Sequence, residues 1–505
     1  MAQLTIRTPT GDMTFPVPEG ALLSSLLLER GHAPDMPCGG KGRCRKCRVW
    51  ASGALSRPSS SEAGALTPRE LAEGVRLACC ARVLGDVCVR LPAGSAVSQI
   101  CVQGTEQAFS PDPMFSRLGA VVDIGTTTLA AQLYDRQRLL ASTSAPNPQR
   151  AFGADVISRV GRSVEGGREA LARCVRQGVS ALLEELCQAA GQGLRDIDGM
   201  VITGNTAMLH LLAAEDISPL AAAPFAVRER FGRALPALAL DLPCPEDTPV
   251  YLPRCISAFV GGDITTALIA SGLCRGSDTA LLADIGTNGE IALWHKGALT
   301  CCSTAAGPAF EGAALSQGMQ GAPGAIDHAW VENGGIAVHT IGDAAPAGIC
   351  GSGVADVAAC LLMLGKLDET GLLAGDADQW PLAQGVAFTQ LDVRQVQLAK
   401  SAVRAGMETL LHRAGLLAAD VARLAIAGGF GSYLSLDSAA TIGLLPPELV
   451  SRCDVLGNAA LSGAAMLLRS RPLQEESRRM ADSAAAVELA TDPFFAEQYI
   501  QQMLF

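Results

Sequence analysis

The sequence predicts an α/β fold in two unequal parts, a small front unit and a larger body that repeats its own opening. Three observations carry this reading. Four cysteines, Cys38, Cys44, Cys47 and Cys79, form a C-x5-C-x2-C pattern with a fourth cysteine after 31 intervening residues. The tetrapeptide Asp-Ile-Gly-Thr begins at Asp123 and again at Asp284, 161 residues later. Ala and Gly are plentiful while aromatics make up only 4% of the chain, which suits closely packed strand and helix layers.

In the front unit, residues 3–9 and 13–18 alternate as strands, with Gly11-Asp12 at the turn. Residues 20–30 form a Leu-rich amphipathic helix. The cysteine loop follows, then a strand at residues 49–50. Residues 53–68 are small and polar and read as a loop. Residues 69–74 are a short helical piece and 83–91 a last strand. The order β-β-α-loop-β suits a β-grasp ferredoxin domain. The cysteine spacing is close to the C-x4-C-x2-C…C of plant-type [2Fe–2S] ferredoxins. Gly39, Gly40 and Gly42 let the backbone approach a cluster. Cys80 stands beside Cys79, but neighbours in an extended segment point opposite ways, so only one should be a ligand.

Residues 93–116 are rich in Pro, Gly and Ser and read as a linker. The expected division is therefore 1–92, linker 93–116, 117–275 and 276–505. Each half of the body opens on an apolar strand ending in Asp, then a Gly-Thr turn. Gly125, Thr126 and Thr127 form the first turn; Gly286, Thr287 and Asn288 form the second. Backbone N–H groups in such turns make concavities that hold phosphate oxygens. Asp123 and Asp284 at the strand ends suit a hydrated Mg²⁺, which favours few carboxylates and keeps its waters. Alone, one such turn reads equally well as an ordinary hairpin. Two copies facing across a cleft would grip a polyphosphate. A third turn, Ala427 to Gly431, would bring Gly428, Gly429 and Gly431 close to a base and ribose. Asp263 could position Mg²⁺ or water, but a helix N-cap is the preferred reading. Residues 347–353 suit either anion binding or tight helix packing.

The net charge of −11 is unevenly spread. Residues 1–95 hold 12 basic and 8 acidic residues, a net +4, leaving the remainder at −15. Lys41, Arg43, Arg45, Lys46 and Arg48 would rim the cysteine loop. They serve either docking onto an acidic protein or local compensation of an anionic cluster. The acidic whole argues against nucleic-acid binding. No apolar run reaches about 18 residues, so no membrane span is expected. The N-terminus lacks a secretory pattern, and the 17 cysteines are mostly single, so reduced thiols and a cytoplasmic location are expected. Cys101, Cys174, Cys187, Cys244, Cys255, Cys274, Cys360 and Cys453 read as small buried hydrophobes, and Cys301-Cys302 as a buried pair.

Residues 123–128, 284–290 and 427–431 resemble the phosphate and adenosine motifs of the acetate and sugar kinase, heat-shock chaperone and actin superfamily. Joined to a [2Fe–2S] front, they resemble the ATP-dependent reductive activators of corrinoid proteins. The segments 147–149, 152–159, 203–206, 348–353, 442–446 and 457–460 resemble that family too. The resemblance implies a duplicated RNase H-like ATPase fold. It implies reduction of an inactive Co(II) corrinoid to Co(I) in a methyltransferase system, using ATP, Mg²⁺, a [2Fe–2S] cluster and an external low-potential electron donor. Carried over residue by residue, Cys38, Cys44, Cys47 and Cys79 match the cluster ligands. Asp123 and Asp284 match the Mg²⁺-organising carboxylates. Thr126, Thr127, Thr287 and Asn288 match phosphate contacts, and Gly428, Gly429 and Gly431 line the adenosine site. Glu290 is the candidate for positioning the attacking water. The alternatives are an activator of another low-potential metalloenzyme, or a non-catalytic nucleotide sensor tethering a ferredoxin. The oligomeric state stays open, a homodimer included.

Overall fold

The computed structural model describes residues 2–8, 11–30, 32, 34, 36, 40, 42, 47–91, 104–375 and 377–505. Cys38, Cys44, Gly39, Lys41, Arg43, Arg45, Lys46 and Cys101 lie outside the described residues.

The front domain is a five-stranded sheet with one main helix. Its strands are β1 (Ala2–Thr8), β2 (Gly11–Val17), β3 (Arg48–Leu55), β4 (Val75–Leu77) and β5 (Val83–Arg90), in the order β2-β1-β5-β3-β4. The helix α1 (Leu23–Glu29) buries Leu23, Leu26 and Leu27 against Leu4, Ile6, Val49 and Val89. Two expectations need correction. Gly11 and Asp12 lie within β2, opposite Thr8 and Arg7, rather than at the turn. Alternation continues through them, and Arg7 and Asp12 pair at 3.5 Å. The expected loop at 53–68 instead holds the end of β3 and the helix α2 (Ser60–Ala65). Its polar composition hid a capping box: Ser59 accepts from the Glu62 amide while Glu62 accepts from the Ser59 amide. The helix α3 (Pro68–Ala72) follows as expected.

Glu62 also fastens the domain. Its carboxylate takes Arg76 Nε at 2.9 Å and Nη2 at 3.0 Å, and the Leu77 amide at 3.1 Å, all buried. Burial alone would raise its pKa, but the Arg76 bonds and the Ser59 and Leu77 amides outweigh it and hold the carboxyl below 4.5. Its stabilisation is thus present above that ordinary value and lost as pH falls through the lower folded value. Glu62→Ala leaves the Arg76 charge buried and unpaired, so chemical denaturation should show a loss of about 3–5 kcal/mol in the front domain.

The body repeats one sheet design. The first half contains β6 (Leu118–Ile124), β7 (Thr128–Tyr134), β8 (Leu139–Pro146), β9 (Ile197–Gly204), β10 (Arg233–Pro236) and β11 (Pro249–Leu252). They lie in the order β10-β11-β9-β6-β7-β8. The second half contains β12 (Ala280–Ile285), β13 (Gly289–His295) and β14 (Ala298–Thr304). A side sheet follows from β15 (Ala325–Glu332), β16 (Gly335–Thr340) and β17 (Gly348–Ile349), then a hairpin of β18 (Gln379–Ala383) and β19 (Val386–Thr389). The main sheet resumes with β20 (Arg423–Ala427), β21 (Cys453–Gly457) and the short β22 (Ala485–Ala486), ordered β21-β20-β12-β13-β14-β22. In each half an antiparallel three-strand meander is extended by parallel strands beside its first member.

Helices cover these sheets. The first half carries α4 (Val156–Arg162), α5 (Arg168–Ala190), α6 (Thr206–Ala213) and α7 (Gly262–Ser271). The second carries α8 (Gly351–Met363), α9 (Gln390–Ala414), α10 (Leu436–Thr441) and α11 (Ala459–Arg469). One apolar core lies between the halves, joining Val121 and Val201 of the first to Leu282 and Ala425 of the second. There α7 and α11 cross so closely that a Cβ at Gly463 would strike the Thr266 carbonyl. Residues 104–116 of the expected linker lie along the second half: Gly104 bridges to Gly457, and Asp112 to Ser470. Cys301 and Cys302 are buried in β14 on opposite faces, one in the shared core and one in the outer core of the second half.

Candidate functional site

The two Asp-Ile-Gly-Thr turns face one cavity of about 520 Å³ between the halves. Asp123 is the penultimate residue of β6 and Asp284 of β12, so the repeated strand brings both residues to the cavity. Gly125, Thr126, Thr127, Gly286, Thr287, Asn288, Glu290, Gly428 and Gly429 also line the cavity. Gly428 adopts φ +95°, and a Cβ there would lie 2.7 Å from Asp284 Oδ1. The third turn therefore passes directly over the second Asp-Ile-Gly-Thr turn, which only glycine permits. Gly431 does not line the cavity; it opens a 3₁₀ turn and packs on Ile426. Phe310 and Phe430 stack at 4.7 Å on the same wall.

The cavity is strongly acidic. Burial, opposed by the Asn458 amide, pushes Asp123 up to about 6. Burial with the charges of Asp123 and Glu311 pushes Asp284 up to about 7. Asp263 is not the helix cap: Gly261 occupies that position, and Asp263 faces the cavity from the first turn of α7. Burial and the charges of Asp284 and Asp123 raise it to about 8. Glu290, opposite Asp284 on β13, is raised well above its ordinary value by burial, Asp263 and Asp284. Two glycines precede Asp263, and Gly261 already supplies the extended residue that starts the helix, so the expected N-cap role does not fall to Asp263.

Mutually repelling carboxylates in one cavity fit a hard divalent cation, which would neutralise them. Among the described residues no three acidic, His or Cys side chains converge as a ready protein cage. A hydrated Mg²⁺ needs no such cage, since it takes one or two carboxylates plus phosphate oxygens and water. Asp123 and Asp284 would hold it.

Three further residues complete the site. Glu311 sits between the two Asp-Ile-Gly-Thr turns: Thr127 Oγ1 donates to its Oε2 at 2.7 Å and Thr287 Oγ1 to its Oε1 at 2.9 Å. Asn205 Nδ2 donates to Thr126 Oγ1 at 3.1 Å. Asn458 Nδ2 donates to Asp123 Oδ2 at 3.1 Å. Asn205 and Asn458 lie in two of the segments that carried the family resemblance, which was their available signal. Glu311 had none, since its partners come from distant strands.

In the front domain the Sγ atoms of Cys47 and Cys79 lie 3.3 Å apart, both buried. A tetrahedral metal with thiolate bonds of about 2.3 Å holds its sulfurs about 3.7 Å apart, so this pair fits a shared iron. Cys80 Sγ lies 3.7 Å from Cys79 on the more exposed side. The hydrogen bond from Cys47, then burial, raises the Cys79 thiol pKa, as expected of a site whose thiolates need a metal's charge.

Comparison with known proteins matches three regions of the chain. Residues 8–84 match the 2Fe-2S iron-sulfur cluster binding domain, 118–276 the RACo middle region, and 278–505 the C-terminal ASKHA domain of RACo. The corrinoid activation enzyme RamQ of Eubacterium limosum is 35% identical over 418 residues, covering 77% of this chain and 70% of RamQ. The [Co(II) methylated amine-specific corrinoid protein] reductase of Methanosarcina barkeri is 22% identical over 77% of each chain. A solved reductive activator for a corrinoid, iron-sulfur protein aligns with TM-score 0.73 and 25% identity, covering 100% of this chain and 98% of that one.

Proposed function

The chain belongs to the RACo family of corrinoid-activating proteins, with a [2Fe–2S] front domain and a nucleotide-binding ASKHA body, and from that premise we propose its reaction. It uses ATP to drive reduction of an inactive Co(II) corrinoid protein to Co(I), with electrons entering from an external low-potential donor. The observation that carries this is one chain holding two opposed phosphate turns around an acidic cavity and a pair of facing buried thiols in a ferredoxin fold.

Each part of the chain has a share in this. Cys38, Cys44, Cys47 and Cys79 would hold the cluster, which supplies one-electron transfer. Asp123 and Asp284 would hold Mg²⁺, which supplies charge neutralisation of the phosphates. The Thr126, Thr127 and Thr287 hydroxyls and the turn amides orient the phosphates, and Thr127 and Thr287 must give up Glu311 to do so. Glu290, whose pKa is raised by burial and by Asp263 and Asp284, would orient water. Gly428 and Gly429 admit the adenosine. Plant-type clusters lie near about −400 mV. Each 100 mV of uphill gap costs about 2.3 kcal/mol per electron, which nucleotide turnover can offset.

The test is anaerobic. The reconstituted protein, a Co(II) corrinoid protein and a chemical reductant should yield the Co(I) absorption band only when Mg²⁺ and ATP are both present. Equal Co(I) formation without ATP would reject ATP-driven reduction and leave the nucleotide-sensor alternative.

A further inference from the structure

One segment touches both ends of this machine. Residues 147–159 leave β8, form the turn Pro148–Ala151, and enter α4. At one end they hold the first phosphate turn from behind. Asn147 Nδ2 donates to the Gly125 carbonyl at 2.8 Å, and the Asn147 amide donates to the Thr127 carbonyl at 2.8 Å. Arg159 Nη2 donates to the Thr126 carbonyl at 2.6 Å. All three consecutive carbonyls of the turn thus have partners in this one segment. The turn lines the cavity while its carbonyls are fixed from this segment.

Arg159 then ties the segment to itself. It is fully buried, and its Nε donates to the Gly153 carbonyl at 3.0 Å. Gly153 is next to Phe152 and two residues from Ala151. Those two residues reach the front domain: Ala151 is a buried member of its apolar core, and Phe152 lies against both that core and the core of the first half. From the Thr126 carbonyl to the front domain the path is therefore one guanidinium and two residues of backbone.

We propose that residues 147–159 are the coupling element by which nucleotide in the first phosphate turn sets the pose of the ferredoxin-type domain. This rests on the nucleotide reading of the cavity. A phosphate reaching Thr127 takes over the hydroxyl now given to Glu311, and the turn must readjust around it. Because its carbonyls are all held by Asn147 and Arg159, the readjustment passes into the segment rather than dissipating locally. Coupling carried by such contiguous contacts is reciprocal, so a partner docked on the front domain must in turn change nucleotide affinity.

Hydrogen exchange on the full, cluster-loaded protein tests this, with a non-hydrolysable ATP analogue and Mg²⁺ as the probe. In the unaltered protein the analogue should slow exchange about fivefold both in residues 118–134 and in front-domain residues 47–91. Phe152→Ala should keep the protection of 118–134 and reduce that of 47–91 to under about twofold. Phe152→Leu, which retains the apolar contact, should restore it. Full front-domain protection in Phe152→Ala overturns the proposal. So does protection of 118–134 with no front-domain response in the unaltered protein, or a Leu variant as deficient as Ala. If neither region responds, the nucleotide reading itself fails, and the coupling fails with it.

Discussion

Cys79→Ser is expected to abolish the cluster, while Cys80→Ser keeps it. The two thiols are adjacent in sequence, yet the fold separates their roles. Cys79 is buried and faces Cys47 at 3.3 Å. Cys80 follows strand β4 on a turn and is half-exposed, with its thiol pushed up to about 11 by burial and by Cys79. A Cβ at Gly42 would lie 2.9 Å from Cys80 Sγ, so glycine is what lets residue 42 approach that sulfur. Serine is a poor ligand for iron because the cluster sites of this class depend on thiolate. Anaerobic reconstitution should give Cys79→Ser no visible absorption and no bound iron or sulfide. Cys80→Ser should retain two irons and two sulfides per chain. The opposite pattern would assign the fourth ligand to Cys80 and reject the pairing of Cys47 with Cys79.

The parts of this protein legible in its sequence are those with a local signature. Asp-Ile-Gly-Thr is compact, so both copies pointed to strand ends and both reach the cavity. The cysteine spacing gave the front fold, and the alternating strands gave most of its sheet. What escaped depended on distance or on composition that hid a motif. Glu311 meets Thr127 across 184 residues, and Asn458 meets Asp123 across 335. No window of sequence contains either pair. The capping box at Ser59 and Glu62 was local, but the run of small polar residues around it read as loop. Asp263 reads from sequence as a helix N-cap, because a carboxylate near a helix start commonly caps, yet it faces the cavity. Only the packing of α7 against α11 and β9 turns it into the cavity.

Asp284→Asn should separate catalysis from stability with opposite signs. Asp284 is the common neighbour of the acidic group: its charge raises Asp263 and Glu290, and Asp123 and Glu311 raise it. Its folded pKa of about 7 lies above the ordinary 3.8, so between those values the folded protein binds the extra proton. Stability of the metal-free protein therefore falls as pH rises through that window, and the penalty is fully present above it. Asparagine keeps the shape and removes the charge. The metal-free variant should melt higher than the parent at pH 8, with the difference shrinking towards pH 4. Mg²⁺ with nucleotide should reverse the order, because the parent gains a neutralised, filled site and the variant loses a carboxylate that the cation needs. Removing one preorganised electrostatic group of this kind costs about 10²–10³ in turnover, so ATP hydrolysis should fall by that factor while the visible spectrum of the cluster stays unchanged. A variant that melts lower than the parent at pH 8 without metal would mean that Asp284 is held by attractive contacts. An unchanged hydrolysis rate would remove it from the phosphate site altogether.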